Sequence, residues 1–137
     1  MVTPTRLRSN QLIVVALLVT GGASHGETAM SDALQKQALT GDLQAQRQLA
    51  ETYRTGAKGT APDPALACAW RIVVVASRHP DVTAQDTENR KRDCDGLDQA
   101  QQRAATAEAK ALVQRLYGRD LVLPADFFGG PRYKPRL

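Results

Sequence analysis

Five times along this chain, a polar residue suited to opening a helix stands directly before a stretch with helical character. Ser31 or Asp32, Asp42, Asp63, Thr83 and Asp98 each offer a side-chain oxygen to the free N–H groups of a first turn. Gln35, Asp86 and Gln101 stand three positions after Asp32, Thr83 and Asp98, where a second side chain returns the bond. Asp63-Pro64 is the sharpest of these signals, because proline at the first helical position gives up an N–H that has no partner there anyway. The stops are as regular: Gly41, Gly56, Gly96 and Gly118 close four of the stretches, and His79-Pro80 closes the third. So much punctuation at helical intervals leaves little room for strands and predicts an all-α fold.

The apolar residues agree with this spacing. Leu34, Ala38 and Leu39 share one face, as do Ala45, Leu49, Ala50 and Tyr53. In the last helix the stripe is Ala104, Ala105, Ala109, Leu112, Val113 and Leu116, with small residues first for close approach and larger ones later to fill space. One stretch conflicts. Ile72-Val73-Val74-Val75 is β-branched and would suit a buried strand. It is continuous with the helix opened at Asp63, however, and a helix buried on more than one side accounts for unbroken apolar character. The stretch from Thr83 to Cys94 is polar and needs a tether to hold it. A chain of 137 residues suffices for one core, and its 2 Phe and 3 Tyr favour packing through small side chains.

The N-terminus reads as an address. Arg6 and Arg8 precede an apolar run from Leu12 to Val19, and Thr20-Gly21-Gly22-Ala23-Ser24 follows, the order of zones in a secretory signal peptide. The run is too short for a bilayer, which takes about 20 residues, and this disfavours an uncleaved anchor. Cleavage after Ala23 or after Gly26 both satisfy the small-residue rule, and no cysteine nearby offers a lipid attachment point. The chain thus divides into a leader over 1–26, a helical domain over 30–118 and an extended basic and aromatic tail over 119–137. The expected location is periplasmic or secreted, with no stable membrane anchor once the leader is removed. Losing Arg6 and Arg8 leaves 16 basic residues against 14 acidic ones, a net charge of +2. Three of those cations, Arg132, Lys134 and Arg136, lie in the tail, so the body is nearly neutral and no specific nucleic-acid face is expected.

Export changes the reading of the two cysteines, Cys68 and Cys94. An even count in an oxidising compartment predicts one disulfide between them. A metal pair lacks further ligands, because His25 lies beside the cleavage region and His79 precedes a proline at a helix end. A catalytic pair of Cys68 with His79 is the remaining alternative.

The order Gly41-Asp42-x-x-Ala45-Gln46-x-x-Leu49-Ala50-x-x-Tyr53-x-x-Gly56, then Asp63-x-x-x-Ala67-x-x-Trp70, resembles one repeat of the Sel-one-like family, α/α hairpins related to tetratricopeptide repeats. The resemblance covers about Ala38 to Ser77, and the helix from Asp98 resembles the closing helix appended to such repeats. Ala50 departs from a glycine the family favours, and Val74-Val75 from two alanines. The resemblance implies antiparallel hairpins in which Ala45, Ala50 and Ala67 allow close approach, Tyr53 and Trp70 fill the space between, and Gly41 and Gly56 make the turns. It also implies a scaffold for protein–protein contacts without catalytic residues.

Nothing in the sequence contradicts that. No phosphate-binding glycine loop, zinc-protease helix or nucleophile elbow occurs, and no cofactor or metal is expected. Asp93 and Asp95 flank Cys94 and are expected to cap and solvate a helix junction. Arg90-Lys91-Arg92 is expected to be a solvated face. Should a groove exist, Arg54 and Arg71 are the exposed neighbours placed to line it. Phe127 and Phe128 are expected to fold back over the open end of the stack. The expected function is binding of a protein partner. A small envelope-acting enzyme or enzyme inhibitor is the alternative, and a membrane-surface role for the tail is a third.

Overall fold

The computed structural model describes residues 25–57 and 59–129; most of the expected leader and Arg132–Leu137 lie outside them. Among the described residues five helices follow one another: α1 (His25–Leu39), α2 (Leu43–Thr55), α3 (Pro64–Ala76), α4 (Ala84–Cys94) and α5 (Gln99–Tyr117). The all-α fold is as expected.

The caps do what their chemistry requires. Asp42 accepts from the Ala45 N–H at 2.7 Å, Asp63 from Leu66 at 2.9 Å, and Asp98 from Gln101 at 2.8 Å. At α4 and α5 the returning bond is also made, from the Thr83 and Asp98 N–H groups to Asp86 and Gln101. The first helix differs from expectation. It is already formed at His25, where the described residues start, so Asp32 lies inside α1 and faces solvent. Between Glu27 and Asp32 no proline or glycine breaks the backbone, and a capping pattern marks where a helix is able to start, not where it must.

The β-branched run is helical, and its surroundings explain it. α3 packs against α2, α4 and α5, so Ile72, Val73 and Val74 are all buried whichever way they point. One core cluster joins Leu34 and Ala38 of α1, Ala45, Leu49 and Ala50 of α2, Trp70 and Val73 of α3, and Leu112 and Val113 of α5. A second joins Cys68, Ala69 and Ile72 of α3, Cys94, Leu97, and Ala105 and Ala109 of α5. The division of α5 into a small-residue half and a larger-residue half thus maps onto two clusters. The fully buried Gln46 closes the end where α1, α2 and α5 meet, donating from Nε2 to the Ala38 carbonyl at 3.2 Å and to the Tyr117 hydroxyl at 3.0 Å.

The Cys68 and Cys94 sulfurs are bonded at 2.07 Å, tying α4 antiparallel to α3 inside the second cluster. Beyond α5, whose last turn is closed by Gly118, the chain turns back without regular structure to Gly129. Its Leu121, Leu123, Phe127 and Phe128 pack onto the second cluster.

Candidate interaction surface

The motif residues converge on the α2–α3 hairpin, and they are used up in building it. Ala45, Leu49, Ala50, Ala67 and Trp70 are buried. Tyr53 is half-buried against the first cluster, its ionisation pushed above the ordinary phenol value by that burial. Gly41 (φ +91°) turns α1 into α2. Gly56 (φ +71°) ends α2 where a Cβ would meet the Pro62 ring at 2.7 Å, so the tight turn into Asp63 needs a residue without one. The Asp63 N–H then donates to the Tyr53 carbonyl at 2.8 Å, closing the hairpin.

Between α2, α3 and α4 runs a line of charge that corrects two expectations. Arg71 is buried, not exposed, with only 5% of its side chain in contact with solvent. Its Nε donates to Asp93 at 2.7 Å and its Nη2 to Glu51 at 2.8 Å. Asp93 does not solvate a junction: its side chain is 1% exposed, and its other oxygen accepts from Arg92 at 2.7 Å. Arg54 is exposed as expected, but it pairs with Glu51. The reason is the enclosure of α3, which leaves position 71 no path to water, so the charge is met by carboxylates from both neighbours. Two turns earlier on the same face of α4, Arg47 forks onto Asp86 at 2.8 and 2.6 Å and onto the Asp81 carbonyl at 2.8 Å. The hydrogen bond from Arg47 holds the Asp86 carboxyl below its ordinary value, and that from Arg54 does the same for Glu51.

These arrangements leave little chemistry available. The bonded sulfurs are neither nucleophile nor ligand, and the exposed His79 accepts the Asp81 N–H at 3.1 Å, so Cys68 and His79 form no catalytic pair. Asp93 has both oxygens held by arginines, which removes it as a general acid. Among the described residues, no group of three or more His, Cys, Asp and Glu is placed to hold a metal. None of their helices is long and apolar enough to cross a membrane.

What remains is surface, and two of its concave parts lie along α4, α5 and the returning chain. A groove of about 360 Å³ is lined by Leu121, Leu123 and Phe127 together with Ile72, Val75 and Arg90. A shallow hollow of about 490 Å³ lies along α5 between Gln102, Arg103, Thr106, Lys110 and the Phe128 ring. Phe127 and Phe128 meet edge to face at 4.8 Å and form the ridge between the two, with the Arg90 guanidinium 4.6 Å over Phe127. A third groove, of about 300 Å³, lies between Arg54, Arg92, Pro64 and Leu97. Phe127 and Phe128 do fold back, as expected, but they lie along the flank of α3, α4 and α5. The outward stripe of α5 was missed in the sequence because polar residues at helical spacing look alike whether they border a hollow or open water. Comparison with known proteins finds no family model, no curated protein and no solved structure that matches this chain.

Proposed function

We propose that the chain is an exported helical-hairpin module of the Sel-one-like kind that binds another protein and carries out no catalysis. The observation that carries this reading is the fate of the motif residues. Gly41, Ala45, Leu49, Ala50, Tyr53, Gly56, Asp63, Ala67 and Trp70 are all used for turning, capping and packing one hairpin, the division of labour that the resemblance implies. The charged groups best placed for acid–base work are held in ion pairs, which supports a scaffold over an enzyme. Export is supported by the Arg6, Arg8 and Leu12–Val19 pattern and agrees with a disulfide that an oxidising compartment preserves.

Affinity capture of the full chain from an envelope fraction after brief cross-linking tests the reading. One stoichiometric protein partner, retained by the wild type and competed by untagged chain, is the expected result. Turnover of an envelope polymer by the purified protein, with no partner retained, would overturn it.

A further inference from the structure

Both sulfurs of the disulfide are sealed. Cys68 and Cys94 are 0% exposed, and Ala69, Ile72, Leu97, Ala105 and Ala109 close around them. Thiol–disulfide exchange needs an attacking sulfur to reach a bonded one, and with both sulfurs enclosed the folded chain offers no such path. The bond is therefore made, and unmade, only while α4 stands away from α3. Helix α4 has little of its own to bring it there. Of its residues only Asp86 and Cys94 are buried. Its other fastenings are the ion pairs with Arg47 and Arg71, whose attraction is largely offset by lost hydration. The rest of the fold does not need α4 in the same way. Arg71 has Glu51 at 2.8 Å as a second partner, and no residue of α4 belongs to the first core cluster.

We propose that the disulfide is a redox latch. In the reduced chain α1, α2, α3 and α5 hold together with α4 detached; oxidation docks α4, which seals the bond behind it. The oxidant is a protein or small molecule carrying a reactive disulfide. One cysteine thiolate opens that disulfide and forms a mixed one, and the other cysteine then displaces the oxidant's remaining sulfur. The oxidant departs as two thiols with both electrons and both protons, leaving the bond between Cys68 and Cys94. Once α4 has closed, the reverse exchange waits on α4 opening again. Under reducing conditions the chain thus stays open along the α3 flank, with Ala69 and Ile72 uncovered, and under oxidising ones it stays closed. The latch rests on the export reading only for where it operates; its chemistry belongs to the purified chain.

The test compares three forms of the full chain: oxidised, reduced in urea and refolded under dithiothreitol, and Cys68→Ala with Cys94→Ala. Arg90, Lys91 and Arg92 place trypsin sites in the second half of α4. Brief digestion read by mass should cut the reduced and double-variant chains there roughly tenfold faster or more than the oxidised chain. Trp70 should meanwhile keep the emission of a buried indole in all three. Dithiothreitol should reduce the folded oxidised chain roughly a hundredfold more slowly than the same chain in denaturing urea. Equal cleavage of oxidised and reduced chains would overturn the latch. So would hydrated Trp70 emission in the reduced chain, because the bond would then hold the whole fold and not α4. Reduction as fast in the folded chain as in urea would overturn the seal. None of these readouts involves a partner or a compartment, so a failed envelope capture counts against the protein-binding reading and these results against the latch.

Discussion

Arg71 brings a full positive charge into the middle of the molecule, and its cost is met only by the two carboxylates that receive it. Removing one member of such a buried pair typically costs about 3–5 kcal/mol, because the other is left uncompensated. Asp93→Ala should fall toward the lower end, since Glu51 still reaches Arg71, and Arg71→Met with Asp93→Leu should recover much of the loss. Urea denaturation of these two variants and the wild type measures this. Trp70→Ala should destabilise by roughly 3–5 kcal/mol through loss of a large buried ring. Trp70 is the single tryptophan and is 3% exposed, so native emission at the wavelength of a hydrated indole would refute that estimate. Asp86 sets a pH response. Folding lowers its pKa below the ordinary 3.8, so its contribution is fully present above that value and is lost as pH falls through the folded one. The melting temperature should therefore drop below about pH 4, and Asp86→Asn should flatten the drop while lowering stability at neutral pH. Of these residues, Trp70 was readable in advance because the repeat-like pattern from Asp63 implies a place for it between the two helices. Arg71 was not, since one helix's periodicity does not say how many neighbours surround it. The sign was present next door: a run apolar on every side, Ile72 to Val75, already implied that position 71 had no solvent to face.

Helix α4 is the clearest case of an element held by fastenings and not by its own composition. Among its eleven residues only Asp86 and Cys94 are buried, and the attachments are the disulfide, the Arg47 fork and the Arg71–Asp93 pair. Opening the disulfide should cost about 3 kcal/mol on the loop-closure argument. The loss should be local first: α4 amides should gain hydrogen exchange on reduction before those of α3, which keeps its contacts with α2 and α5. Exchange that rose equally in both helices would mean that the two melt together. The ends of α2 to α5 were readable because their caps are chemical, one side chain to one N–H. The start of α1 was not, because nothing there forbids an earlier turn. The tether on α4 was foreseen from its polarity and the cysteine count, but the two ion pairs were not: each joins residues more than twenty positions apart, and spacing carries no trace of them.

The whole molecule is organised around α3, with α2, α4 and α5 on it and the returning chain over the flank. Ending the chain after Asp126 removes Phe127 and Phe128 and should lower the melting temperature by several degrees, roughly 4 °C for each kcal/mol lost. Val122→Ala, at a side chain 85% exposed, should leave it unchanged. If both proteins melted with the wild type, the segment would contribute nothing to the fold. Repeat proteins grow because each hairpin leaves an apolar face for the next. Here the last helix, α5, turns a polar outer stripe to that side. Duplicating the gene end to end would therefore yield beads on a string and not a longer rod: a tandem fusion should melt at the temperature of the single copy, with no gain in cooperativity.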